Sequence, residues 1–285
     1  MKTEQMNTYK RLLKKIDLSK PFVLSSSDRS ALTREFADKA PGVNDDASFA
    51  NFFEAPRPYL FLHVVRVLNV GWLVLRHMGA FDKAGRYRVL DIGAGRAEMM
   101  MILRGYFRKK GALLCYTGFD VDIRKAELFS QLYGRCDPAR FNYKIGDFRQ
   151  GFPFAKCSFE GATCTEVLEH VKQDEGKRML KDAARVLSRG GILVLTTPDR
   201  QGAKKTMSKF HVHEWSHEEL IYTLDEVGFK IIEKMWLGVP KNALKRFMPV
   251  GYQDRINGDL VRAVMGPASG ERGNYQCLVC QKKWK

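Results

Sequence analysis

Five residues in the second half of the chain are of types and spacings that can move a proton or hold a cation. Glu166, Glu169 and His170 lie in TEVLEHV (165–171), and His211 and His213 lie in KFHVHEWSHEEL (209–220). Two carboxylates and two imidazoles can bind a hard divalent cation such as Mg²⁺ or Mn²⁺, which lowers the pKa of a hydroxyl beside it. An imidazole alone can take the proton of such a hydroxyl near neutral pH. Glu166 and Glu169, three residues apart, share a face if their segment is helical. The second stretch has a plainer use as well, because Ser216 and Glu219 have the spacing of a capping box at the start of a helix.

A different chemistry is suggested by VLDIGAGRAEMM (89–100), an apolar run ending in Asp91 and then two glycines, Gly93 and Gly95, one residue apart. A glycine turn between a strand and a helix lets backbone come close to a ligand and aims helix N–H groups at it. Dinucleotide sites prefer a third glycine three residues on, but Glu98 stands there and would face the pyrophosphate's charge. A cofactor without phosphate fits better. S-adenosylmethionine, with a cationic sulfonium and α-amino group, matches an acid such as Asp91 at the strand end.

These groups require a scaffold that brings distant segments to one edge. Strands are expected at 86–93, 113–121, 141–148, 159–167 and 190–198, with helical spacing in AEMMMILRGYFRKK, DIRKAELFSQLY and QDEGKRMLKDAARVLSR between them. SHEELIYTLDEVGF adds a helix, FKIIEKMWL a sixth strand and YQCLVCQKK a seventh, the last two placed to run antiparallel. The pattern predicts an α/β fold, a seven-stranded, mostly parallel, doubly wound sheet. Residues 1–84 are expected to form an N-terminal helical extension that caps the sheet, 85–285 the cofactor-binding domain, and 237–274 a lid-like insertion before the last strand.

With its motifs in this order, the segment from about 86 to 235 resembles a class I, Rossmann-like S-adenosylmethionine-dependent methyltransferase. VLDIGAGR, GFDVD, IGDF, TEVLEHV and RVLSRGGILVLTTP match successive motifs of that family. The resemblance implies that Asp91, Gly93, Ala94, Gly95, Asp120, Val121, Asp147, Phe148 and Thr165 bind the cofactor. Asp120 would accept from the ribose hydroxyls and Asp147 from the adenine amine, with Phe148 beside the ring. Ala97 departs from the family's usual glycine, and little harm is expected from so small a residue. E-x-x-E-H with a later histidine is similar to the metal site of small-RNA 3′-terminal 2′-O-methyltransferases and occurs in ubiquinone-pathway O-methyltransferases. Carried over, it makes Glu166, Glu169, His170 and His211, or His213 in its place, the metal ligands, with His170, Glu169 and His213 as catalytic groups. Many family members bear the same motif and bind no metal.

The expected reaction is O-methylation of a small anionic or hydroxylated acceptor. An RNA or DNA methyltransferase and a non-catalytic cofactor-binding module are the alternatives. TEVL stands where amino-directed DNA enzymes carry a DPPY-like tetrapeptide, which counts against base N-methylation. The net charge of +16 and pI near 9.6 draw anionic partners, nucleic acid among them, although basic clusters such as KRLLKK and RGYFRKK also serve as solvated surface. The apolar stretch 59–79 is interrupted by His63, Arg66, Asn69 and Arg76, so a membrane role is not expected. The N-terminus lacks the apolar core of a signal peptide. Six scattered cysteines include a lone C-x-x-C at Cys277 and Cys280, read as part of a strand because zinc needs four ligands. A reducing, cytoplasmic setting and a monomer or homodimer are expected.

Overall fold

The computed structural model describes residues 58–80, 83–100, 102–104, 113–133, 136–200, 210–237 and 275–284. The basic clusters at 10–15, 105–110, 204–205 and 241–246 lie outside these residues, as do most of the expected N-terminal extension and nearly all of the 237–274 insertion.

Seven strands form where β-branched and aromatic residues run between glycine and aspartate breaks. They are β1 (Arg86–Ile92), β2 (Leu113–Asp120), β3 (Phe141–Ile145), β4 (Phe159–Thr165), β5 (Leu187–Pro198), β6 (Phe229–Leu237) and β7 (Tyr275–Lys282). Their spatial order is β3-β2-β1-β4-β5-β7-β6. The first five pair in parallel, and β7 runs antiparallel to both β5 and β6. The order reverses between β1 and β4. Connections therefore leave that point in opposite directions, opening the crevice in which such sheets bind ligands.

Helices cover both faces. Helix α1 (Pro58–His77), the helical residues at 98–100 and 102–104, and α2 (Ile123–Tyr133) pack on one face, where Leu73, Met100 and Phe129 meet Val89 and Tyr116. Helices α3 (Gln173–Val186) and α4 (His217–Glu226) pack on the other, where Met179, Leu180 and Leu220 meet Leu90, Ile92 and Leu195. Gly161 in β4 lets α1 approach, since a Cβ there would lie 2.3 Å from Met78 Sδ. No helix among the described residues is long and apolar enough to cross a membrane.

Two local readings change. The helix expected to run through RVLSR stops at Val186, because Leu187 already pairs with Phe159 as the start of β5. Cys277 and Cys280 are both buried but belong to the cores of opposite faces, as a three-residue step along a strand requires. They cannot share a metal or form a disulfide with each other.

Candidate functional site

At the ends of β1, β2 and β3 the chain is held mainly through backbone. The N–H groups of Gly93 and Ala94 both donate to the Phe119 carbonyl, at 2.8 and 3.2 Å. Gly95 N–H donates to Asp120 Oδ2 at 2.9 Å, and Asp122 N–H to Asp120 Oδ1 at 3.0 Å. Tyr143 on β3 donates its hydroxyl to the Gly95 carbonyl at 2.8 Å. Gly93 has φ +67°, and a Cβ there would come within 2.3 Å of Val167 Cγ2, so only glycine fits. Ala97 is buried at φ +59°, where an L-residue with a Cβ costs about 1–2 kcal/mol. The substitution for glycine is therefore less innocuous than its size suggests.

The acids differ sharply. Asp91 is buried within β1, accepting from Tyr116 Oη and Thr163 Oγ1, each at 2.7 Å. Burial pushes its carboxyl up to about 6, although these two bonds pull the other way. Desolvation likewise raises Glu98 to about 7. Asp147 caps the short turn Phe148–Gln150 by accepting from Arg149 N–H, and pairs with the Arg149 guanidinium at 2.6 Å, which lowers its pKa. Phe148 packs on the core of the α3 face. Val121, Ile123 and Ile145 expose apolar side chains beside Asp120. Thr165, at the end of β4, has a buried hydroxyl with no hydrogen-bond partner among the described residues.

At the ends of β4 and β5, side chains hold one another. Glu169, His170 and His211 offer ligand atoms that all lie within 4.8 Å of one another. Glu169 is buried and accepts from Thr197 Oγ1 at 3.0 Å. Burial, and then the charge of Glu166, raise its pKa above the ordinary carboxylate range. His170 Nδ1 lies 3.1 Å from the Phe210 carbonyl. A carbonyl only accepts, so Nδ1 carries the proton and Nε2 presents a bare lone pair. His211 Nδ1 lies 2.6 Å from buried Glu214, which again leaves Nε2 as the free acceptor. The loop is fixed from below, since Val212 and His213 N–H both donate to the Glu169 carbonyl.

The structure does not bring Glu166 or His213 into this cluster. Glu166, at φ +56°, is held by Thr196 Oγ1 at 2.9 Å and Arg66 of α1 at 3.2 Å. His213 Nε2 pairs with Glu219 Oε1 at 2.7 Å, and its ring stands edge-on to Trp215. Glu219 and Ser216 form the capping box at the start of α4. Three of the four expected ligands are thus assembled. Sequence reasoning missed Glu214, which pairs with His211 three residues before it, and Thr197 and Arg66, whose partners Glu169 and Glu166 are far away in the chain.

The arrangement can be compared with known proteins. The family described as a methyltransferase domain matches residues 32–234. The chain belongs to this family. It is 27% identical over 173 residues to the O-methyltransferase cnsE of Penicillium expansum, covering 58% of this chain and 60% of that one. It is 27% identical over 158 residues to a ubiquinone biosynthesis O-methyltransferase of Xanthomonas oryzae pv. oryzae, covering 55% and 60%. The chain therefore spans about three fifths of the length of these relatives. A SAM-dependent methyltransferase from Methanosarcina mazei superposes with a TM-score of 0.50 at 16% identity, over 73% of this chain and 97% of that one. That likeness shows the shared methyltransferase-domain fold.

Proposed function

We propose that the protein transfers the methyl group of S-adenosylmethionine to an oxygen of a small hydroxylated or anionic acceptor. The observation that carries this reading is the closure of the Gly93–Gly95 turn onto the Asp120 carboxylate, at the point where the strand order reverses, in a chain of the methyltransferase-domain family. The naming of two relatives as O-methyltransferases supports oxygen as the atom methylated.

The residues fit the cofactor. Each Asp120 oxygen receives one backbone N–H and retains acceptor capacity, which ribose hydroxyls would use. Exposed Val121 and Ile145 offer an apolar wall for an adenine ring, and the orphaned Thr165 hydroxyl supplies a donor. Asp91, engaged on both oxygens by Tyr116 and Thr163, ties β1 to β2 and β4 just before the turn that faces the amino-acid end. Asp147 reaches an adenine amine only by loosening its pair with Arg149. When bound, the sulfonium carries a methyl group open to in-line displacement.

His170 Nε2 then takes the proton of the acceptor hydroxyl as the oxygen attacks, and the Phe210 carbonyl holds the imidazole in the tautomer that makes this possible. Glu169, His170 and His211 fit a divalent cation such as Mg²⁺ or Mn²⁺ as an alternative to that role, since the cation would take the His170 Nε2 lone pair and would itself lower the pKa of the hydroxyl. The reaction needs alignment and exclusion of water more than it needs covalent help.

Titration calorimetry with S-adenosylhomocysteine tests the reading. The expected result is saturable binding that Asp120→Ala weakens at least about 100-fold, from loss of hydrogen bonds to a charged acceptor. Absence of heat with either form of the cofactor, or an unchanged affinity in the variant, would overturn it.

A further inference from the structure

The other end of the sheet carries a feature that methyl transfer does not use. A groove of about 860 Å³ runs along α3 to the amino-terminal edge of β4 and β5. Half of its lining residues are lysine or arginine, and Asp182 is its one acid. Asp182 is already consumed by Arg185 and by the N–H of Phe152. The side chains of Lys156 before β4, Lys181 on α3 and Arg189 in β5 make no hydrogen bond or ion pair among the described residues. Lys282 and Lys283 close the groove at the end of β7.

An exposed aromatic ring lies outside the residues that line the groove, one step along the chain from Lys283. Trp284 is 74% exposed, although tryptophan is ordinarily well covered. Its indole lies beside Gly190, the neighbour of Arg189, where a Cβ would meet Cζ2 at 3.5 Å. Cations drawn from three segments offer several separate contacts to a polyanion. A flat bilayer would reach the rim of a concave surface and miss its walls. An open indole among cations is the device by which single strands are held, with phosphates on the basic groups and a base on the ring. A duplex keeps its bases stacked away from such a ring.

We propose that this groove binds single-stranded nucleic acid, with phosphates along Lys156, Lys181 and Arg189 and a base stacked on Trp284. Lys156, Lys181 and Arg189 lie toward the strand edge opposite to Gly93, Asp120 and His170, while the far end of the groove reaches Phe148 and Arg149. A strand held there is a tether, and the small acceptor is still methylated at the other end.

The test measures fluorescence anisotropy of labelled twelve-nucleotide oligouridylate and oligothymidylate with the full chain over a salt series. Lys156→Ala/Lys181→Ala/Arg189→Ala should weaken binding at least tenfold and flatten the log–log salt slope by about 2, at roughly 0.7 for each phosphate left without its cation. Trp284→Ala should weaken binding about tenfold with the slope unchanged, because stacking releases no counterions. S-adenosylhomocysteine affinity should stay at the wild-type value in both variants, which certifies their folding and separates failure here from failure of the methyl-transfer reading. Equal affinity and slope in the triple variant would overturn the assignment. Binding of the wild type to phosphatidylserine vesicles, with none to either oligonucleotide, would overturn it in favour of a membrane surface.

Discussion

At the ends of β1, β2 and β3 the chain fixes backbone groups, whereas at the ends of β4 and β5 it fixes side chains against side chains. Gly93, Ala94 and Gly95 are all anchored by their own N–H groups to Phe119 or Asp120. Glu169, His170 and His211 are instead set by Thr197, the Phe210 carbonyl and Glu214. The first region resembles a mould for a ligand of fixed shape. The second is a set of acid and imidazole side chains whose hydrogen-bonding roles are dictated by what lies behind them, an arrangement suited to activating a variable acceptor.

If this division is right, substitutions should separate cofactor affinity from turnover. The largest effect is expected at Asp120→Ala, where S-adenosylhomocysteine affinity falls at least about 100-fold because the ligand and the Gly95 turn lose the same carboxylate. His170→Ala should leave that affinity unchanged while lowering kcat about 100-fold, the ordinary contribution of a positioned base. A matching loss of cofactor affinity would erase the distinction between the two regions. Glu214→Gln should lower kcat about tenfold through His211, as groups one step behind a functional imidazole do. It should also shift the pH–rate profile, which a purely structural role would leave in place.

The smallest expected effect concerns stability, and it reports on the mould. Burial raises the Asp91 carboxyl from 3.8 to about 6, so holding it ionised in the folded state costs stability at pH 8. That cost fades as pH falls from 6 toward 3.8. Asp91→Asn removes it and should make the protein more stable than wild type at pH 8 by about 1–2 kcal/mol, part of the shift being offset by poorer bonds to Tyr116 and Thr163. The difference should vanish near pH 4 in thermal unfolding scans. A variant less stable than wild type at pH 8 would mean that the hydroxyl pair outweighs desolvation.

The two regions were also unequally legible in the sequence. Strand alternation, the glycine turn and the acids at strand ends are local signals, and they yielded a mostly parallel, doubly wound sheet of seven strands and the neighbourhood of Asp120. The antiparallel final strands followed from the want of a clear crossover helix between them. Glu214 could not be read in the same way, because its value depends on a loop that returns to the Glu169 carbonyl from about forty residues downstream. Arg66 was equally hidden, since α1 reaches Glu166 only once the sheet exists. His213 shows the converse: its spacing fits the cap of α4 as well as it fits a ligand, and Glu219 holds it there. The Arg149 partner of Asp147 lay in plain view two residues on, but a charged neighbour is read as solvated surface unless the backbone geometry is known.

The absent side chain of Gly93 is occupied by Val167, a residue of the segment that carries Glu169 and His170. The two ledges of the crevice therefore mate like a tongue and slot. A larger residue on the tongue side can be tolerated in a descendant chain only while the slot stays bare, and any added bulk in the slot must be matched by trimming at 167.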